Sequence, residues 1–232
     1  MTTATTTSSA TAFEGFRPEA IQFLADLKAN NDRAWFQPRK AEYERLLKHP
    51  LEALCVALAG RFEARGIPLE ADPARSPFRI YRDVRFSKDK SPYKTNIGAS
   101  FAWTGGGDGS AGGYFHLEPG EIFVGGGMWH PEPARLAAFR KTVDRDPDKV
   151  HAILEDAKFV KTFGQVNGDR LKRVPQGYTA DHPDADLLKL KDITFGRRLS
   201  DDDAAAPDLP DRLADTFEIA VPVMRFLATL PA

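Results

Sequence analysis

The chain has 232 residues, of which 42% are hydrophobic and 28% charged, with 32 lysines and arginines against 33 aspartates and glutamates. That length can bury a substantial core, and that composition excludes a wholly disordered chain. A formal net charge of −1 excludes a polycation that coats nucleic acid or an anionic membrane, so any anion recognition has to be local.

Cys55, the single cysteine, cannot form an internal disulfide, and no Cys/His spacing suits a structural zinc site, so no metal is expected. A reducing, cytoplasmic setting is expected. The opening MTTATTTSSATA lacks a basic segment followed by an apolar one, and no apolar run reaches the length of about 18 residues that a membrane span needs, so neither secretion nor a membrane partner is expected. Residues 1–12 read as a disordered tail and residues 13–232 as a single domain.

In chain order, FRPEAIQFLADLKANN places Phe16, Ala20, Phe23, Leu24 and Leu27 at helical spacing, with Pro18 suited to a first turn. Asp32 is a cap for a short helix carrying Trp35 and Phe36; two more helices follow, broken at Pro50 and stopped at Gly66. Cys55 sits among Leu54, Val56 and Leu58, the surroundings of a buried thiol and not of a nucleophile.

After Pro68 the texture changes. FRIYRDVRF alternates, with Phe78, Ile80, Val84 and Phe86 on one side and Arg79, Tyr81, Asp83 and Arg85 on the other, which predicts a strand with Arg82 interrupting its apolar face. TNIGASFAW and GGYFHLEPGEIFVGGGMW continue the strand signals in an antiparallel meander, with His116 on one face beside Tyr114 and Glu118. Gly125, Gly126 and Gly127 read as opening a turn that carries His130; without a following Gly-Lys-Ser/Thr they are no phosphate cradle.

Helical spacing returns in PEPARLAAFRKTVD and PDKVHAILEDAKFVKTF, the second opened by Asp146 and Pro147. LKRVP and ITFGRRLS read as short strands around a small helix in HPDADLLKL. The breaker-rich SDDDAAAPDLP then precedes a closing helix that Pro222 should kink or divide. The sum is an α+β fold: a central, largely antiparallel sheet with helices from both ends of the chain packed on it.

The charge is unevenly spread. Within FRIYRDVRFSKDKSPYKTN, six cations (Arg79, Arg82, Arg85, Lys88, Lys90 and Lys94) against Asp83 and Asp89 leave an excess of four positive charges, in a chain whose total is −1. Guanidinium forks suit phosphate and carboxylate, and Tyr81 and Tyr93 add hydroxyl donors. A solvated charged edge is the plain alternative, since surface ion pairs contribute little.

That block, with FLADLKANNDRAWFQPRKAEYE before it and GGGMWHPEPARLAAFRK and LKRVPQGYTADHPDADLLKLKD after it, closely resembles the family known as domain of unknown function 2461. The resemblance covers roughly residues 13 to 230 and implies a single-domain α+β protein; it brings no activity, cofactor or catalytic residue. The blocks are rich in polar and aromatic groups beyond what packing requires, among them Asn30, Asn31, Arg33, Trp35, Trp129, His130, Lys172, Arg173, Gly177, Tyr178 and His182.

The functional expectation is a basic cleft around residues 79–94 that binds an anionic, phosphate-bearing small molecule or nucleotide. Its expected ligand-binding residues are Arg79, Tyr81, Arg82, Asp83, Arg85, Lys88, Lys90, Tyr93, Lys94, Trp129, Arg173 and Tyr178, with Trp129 or Tyr178 stacking on a base. The competing expectations are a nucleic-acid-binding module, with its cations along an exposed face, or a protein-interaction scaffold without catalysis.

Overall fold

The computed structural model describes residues 12–107 and 109–230. The expected N-terminal tail lies, apart from Ala12, outside the described residues. Helix α1 (Pro18–Ala29) starts on Pro18, whose missing N–H would be unbonded in a first turn anyway, and buries Ala20, Phe23, Leu24 and Leu27. Helix α2 (Arg33–Phe36) is capped by Asp32, which accepts from the Trp35 N–H at 2.8 Å. After α3 (Lys40–Tyr43), a π-helical turn over Glu44–Lys48 leads into α4 (His49–Arg65), which ends on left-handed Gly66 at φ 63°. The break expected at Pro50 is this widened turn. Proline offers no N–H to the carbonyl four residues back, and the chain absorbs the loss without leaving the helical path.

The sheet is an antiparallel meander in the order β1 (Leu69–Glu70), β2 (Ile97–Trp103), β3 (Gly112–Glu118), β4 (Glu121–Met128) and β5, which comes later in the chain. Helices α5 (Pro133–Arg145), α6 (Pro147–Leu154), α7 (Ala157–Phe163) and α8 (Ala185–Leu188) intervene before β5 (Ile193–Leu199). The fold is therefore α+β, as the alternation of patterns predicts. Ser200, at the start of the breaker-rich SDDDAAAPDLP, closes a reciprocal capping box with Asp203 and starts α9 (Asp201–Ala205). Helix α10 (Leu209–Ala228) runs undivided through Pro222, because Phe217 and Ala220 before it and Met224 and Leu227 after it are all buried in the same core.

Alternation along the strands decides which side the helices cover. Phe101 of β2, Phe115 and Leu117 of β3 and Val124 of β4 are fully buried on the inner face. Phe62 and Phe217 meet Phe101 in an edge-to-face triangle with ring centroids 5.4 to 5.8 Å apart, and Phe16 stacks on Phe115 at 5.8 Å. Each such ring contributes about 1.5 to 3 kcal/mol by burial alone. Cys55 is fully buried in this core, where burial, followed by the charges of Glu52 and Asp72, pushes its thiol up to about 12. Among the described residues no helix is long and apolar enough to cross a membrane.

The single helix expected over PDKVHAILEDAKFVKTF divides into α6 and α7, because Asp156 caps a new start by accepting from the Lys158 and Phe159 N–H groups. Three further expected elements take another form. Residues 78–86 are no regular strand. Backbone bonds from Phe78 to Gly98, Lys94 to Ile80 and Arg82 to Pro92 pair the stem, and a bridge joins Tyr81 to Tyr93. Beyond it, Asp83 accepts from the Arg85 N–H and Asp89 from the Ser91 N–H, at 3.2 and 2.9 Å. These local side-chain bonds take up backbone donors that a ladder would need, and the tip leaves the sheet. Of the predicted apolar face only Ile80 is buried, whereas Phe86 is 97% exposed.

LKRVP is likewise irregular. A single bridge, Arg170 to Leu190, pairs the chain just before it, and Pro175 cannot extend a ladder. Gly125, Gly126 and Gly127 lie inside β4 and not in a turn. A Cβ on Gly125 would stand 2.1 Å from the Phe195 carbonyl oxygen, and one on Gly127 2.1 Å from that of Ile193. Only glycine lets β4 and β5 run this close.

Candidate functional site

Among the described residues the helices leave the outer face of the sheet uncovered. Register places Gly98, His116, Phe123 and Arg198 in one row across β2 to β5, then Ser100, Tyr114, Gly125 and Gly196, then Ala102, Gly112, Gly127 and Thr194. The last two rows carry almost no side chain beyond Tyr114. A groove of about 860 Å³ lies over them, with Phe78, Tyr114 and Phe123 among its walls and Trp129, Asn167 and Arg197 elsewhere on its lining.

One end of the groove concentrates the chemistry. Phe78 lies against Tyr114 with centroids 5.8 Å apart, and the ammonium of Lys94 sits 5.0 Å from the centre of the Phe78 ring. Burial, reinforced by the positive charge of Arg79, lowers the Lys94 ammonium below its ordinary value. Among the described residues neither Lys94 nor Arg79 has a carboxylate within ion-pair distance.

Beside them His116 is held on three sides. Phe123 stacks on its ring at 4.8 Å and 18°, the Tyr114 hydroxyl lies 3.0 Å from Nδ1, and the Asn96 amide nitrogen stands 3.4 Å from the same atom. Burial pushes the imidazole down, against the opposing pull of Glu118 and Glu121. Glu118 Oε1 accepts from Thr95 Oγ1 at 3.0 Å and from Lys28 Nζ at 3.3 Å, while Oε2 faces His116 Nε2 at 3.6 Å. Glu121, Glu118 and His116 bring one possible ligand atom each to within 4.8 Å of one another.

The twelve residues singled out in the sequence do not share one place. Lys94 stands over Phe78, and the charge of Arg79 acts both on it and on Asp83; neither cation is on the groove's own lining, whereas Trp129, 69% exposed, is. Arg82 pairs with Asp89 and also donates to the Ser91 carbonyl; Arg85 forks onto Asp83, its shortest contact 2.6 Å. Hydrogen bonds from the Ser91 hydroxyl and amide, then from Arg82, hold Asp89 well below the carboxylate range, and those of Arg85 lower Asp83. Lys90 donates to the Val84 carbonyl at 2.9 Å, and Lys88 is exposed.

Tyr81 lies tilted against Tyr93, which is buried, stacked on Phe36 at 4.1 Å, and clamped at its backbone by both ends of the Asn31 amide. Trp35 packs on Phe23 under Arg39, so this polar signature block supports the stem of the loop. Arg173 is exposed, and Tyr178 packs toward His182 and away from the groove lining. His130 adopts φ 48° with its N–H donated to the buried Asp192 carboxylate at 2.7 Å.

Sequence reasoning passed over Phe78, Asn96, Glu118, Glu121 and Phe123 as site residues. The available signal was the polar, period-two face Tyr114, His116, Glu118 in a strand whose other face is apolar.

A family model described as a conserved hypothetical protein, DUF2461, matches residues 19–226. Neither the curated proteins nor the solved structures contain a match.

Proposed function

Because the chain belongs to the DUF2461 family of conserved hypothetical proteins, whose description names no chemistry, we propose a function from the geometry alone: the open sheet face binds a small molecule with a flat body and an anionic, phosphate-type group. The body lies in the groove against Phe78, Tyr114 and Phe123, within reach of Trp129, and the anion meets Lys94 and Arg79. The observation that carries this reading is the half-buried Lys94 ammonium, held over Phe78 beside a second cation and, among the described residues, without a carboxylate within ion-pair distance. A cation pair in that state gains from an anion what Arg82 and Arg85 already obtain from Asp89 and Asp83. Of the basic block, then, the stem recognises the ligand, while the two arginines nearer the tip hold the loop's shape.

Calorimetric and thermal-shift titrations with nucleotides, sugar phosphates and carboxylates test this. Charge-assisted hydrogen bonds contribute about 1.5 to 3 kcal/mol each, so Lys94→Met should weaken a phosphate-bearing ligand by tenfold or more. Absence of any hit, or hits untouched by Lys94→Met and Arg79→Gln, overturns the reading.

A second reading rests on the loop tip. Phe86, almost fully exposed beside Arg85 at 5.9 Å and followed in the chain by the exposed Lys88 and Lys90, offers a ring and cations of the kind that stack on single-stranded nucleic acid. Retention on single-stranded DNA or RNA at low salt, lost in Phe86→Ala, would favour it over the groove.

A further inference from the structure

We propose that His116, Glu118 and Glu121 form a binding site for a first-row divalent cation of the zinc or manganese kind. The three residues come from adjacent positions of one hairpin. His116 and Glu118 share the outer face of β3, and Glu121 opens β4 directly opposite Glu118. Like charges paired across two strands destabilise a sheet unless something compensates them. Lys28 and Thr95 engage only Oε1 of Glu118, which leaves its Oε2 and the Glu121 carboxylate turned toward the imidazole side.

The imidazole itself points to a ligand. Its Nε2 is shielded from solvent yet makes no hydrogen bond among the described residues, and the 3.6 Å to Glu118 Oε2 is too long for one. A buried polar atom in that state is costly, and it is exceptional in folded proteins. Two ligands each about 2.0 to 2.2 Å from a tetrahedral ion lie roughly 3.4 Å apart, close to the separation observed. Rotation of the exposed Glu121 side chain brings the third donor in.

The surroundings are those that metal-bound histidines use. In the tautomer that metal binding selects, Nδ1–H donates to the Tyr114 oxygen in place of accepting from Tyr114 and the Asn96 amide, and the Nε2 lone pair then faces the two carboxylates, while the Phe123 ring fixes the plane of the imidazole. One nitrogen and two carboxylate donors favour zinc or manganese over magnesium and calcium, which take oxygen ligands. Glu121 also lines the groove, so an ion here would stand at the ligand's edge. The inference does not depend on the anion reading, since the metal alone serves as the probe.

The test uses the untagged full chain, stripped with chelator and titrated calorimetrically with zinc chloride, manganese chloride and magnesium chloride in turn. One zinc per chain is expected, manganese weaker, and magnesium weaker still. His116→Ala, Glu118→Gln and Glu121→Gln should each weaken zinc at least tenfold, Tyr114→Phe should weaken it less, and His151→Gln should leave it unchanged. Cobalt substitution should give visible absorption bands that vanish in His116→Ala. No saturable zinc binding overturns the site. So does stoichiometric binding that survives Glu121→Gln at full affinity; Glu121, exposed at the turn, can be changed without disturbing the core. Loss of zinc with phosphate-type ligands still bound would separate this site from the groove's anion end.

Discussion

The two faces of the sheet are built from the same strands and differ in almost everything else. The inner face is a stack of buried rings, Phe101 and Phe115 against Phe16, Phe62 and Phe217. The outer face alternates bare backbone with a few polar and aromatic groups gathered at one end. Stability is concentrated on the first, and the recognition proposed above belongs to the second, because a side chain that must exclude water cannot also be offered to a ligand.

The widest expected gap between the faces is in stability. Phe115→Ala, which empties a fully buried site, should cost about 3 to 5 kcal/mol; Phe123→Ala on the outer face should cost less than half as much. Urea midpoints measure both, and equal losses would mean that the outer face is as closely packed as the inner one. A smaller loss, about 1 to 3 kcal/mol, is expected for Asn31→Ala, which removes both bonds to the Tyr93 backbone. Because that clamp holds the stem beside Lys94, ligand affinity should fall with it; unaltered affinity would detach the stem from the recognition face.

A third effect lies off the sheet and depends on pH. His151 bonds Glu155 at 2.7 Å and the nearly buried Asp184 at 2.8 Å, which raise its pKa in that order. A raised folded pKa gives stability that is full below the unfolded value of about 6.5 and fades as pH climbs through the folded one. The difference in midpoint between the parent and His151→Gln should therefore shrink from pH 6 to pH 9; a constant difference would show that the imidazolium pairing adds nothing. Least of all is expected from Arg85→Ala at the exposed loop tip, with the melting temperature and small-molecule binding both unchanged. A drop in affinity there would move recognition from the groove to the tip.

The inner face was legible in the sequence because burial imposes a period. Ile97, Ala99, Phe101 and Trp103 alternate, Phe115 and Leu117 continue the pattern, and the helices announce themselves through Pro18, Asp32 and Gly66. The same rule misled at Phe78 to Phe86, where apolar residues alternate but Asp83 and Asp89 take the backbone donors for turns. Gly125 to Gly127 carried no pattern at all, since a residue without a side chain reads alike in a strand and a turn. The polar face of β3 was visible, His116 beside Tyr114 and Glu118, yet its partners on Asn96, Glu121 and Phe123 come from elsewhere in the chain. No local period encodes such a convergence.

The close approach of β4 to β5 also limits how this surface can diversify. At Gly125 and Gly127 any side chain would collide with a neighbouring carbonyl, and a Cβ on Gly112 would come within 2.7 Å of one. At Gly196 a methyl group would meet only ordinary contacts, its nearest neighbour 3.6 Å away. Among the glycines of the floor, change is open at this one position; with Ser100, Ala102 and Thr194 it forms the small alphabet through which substitution can reshape the groove while keeping the sheet intact.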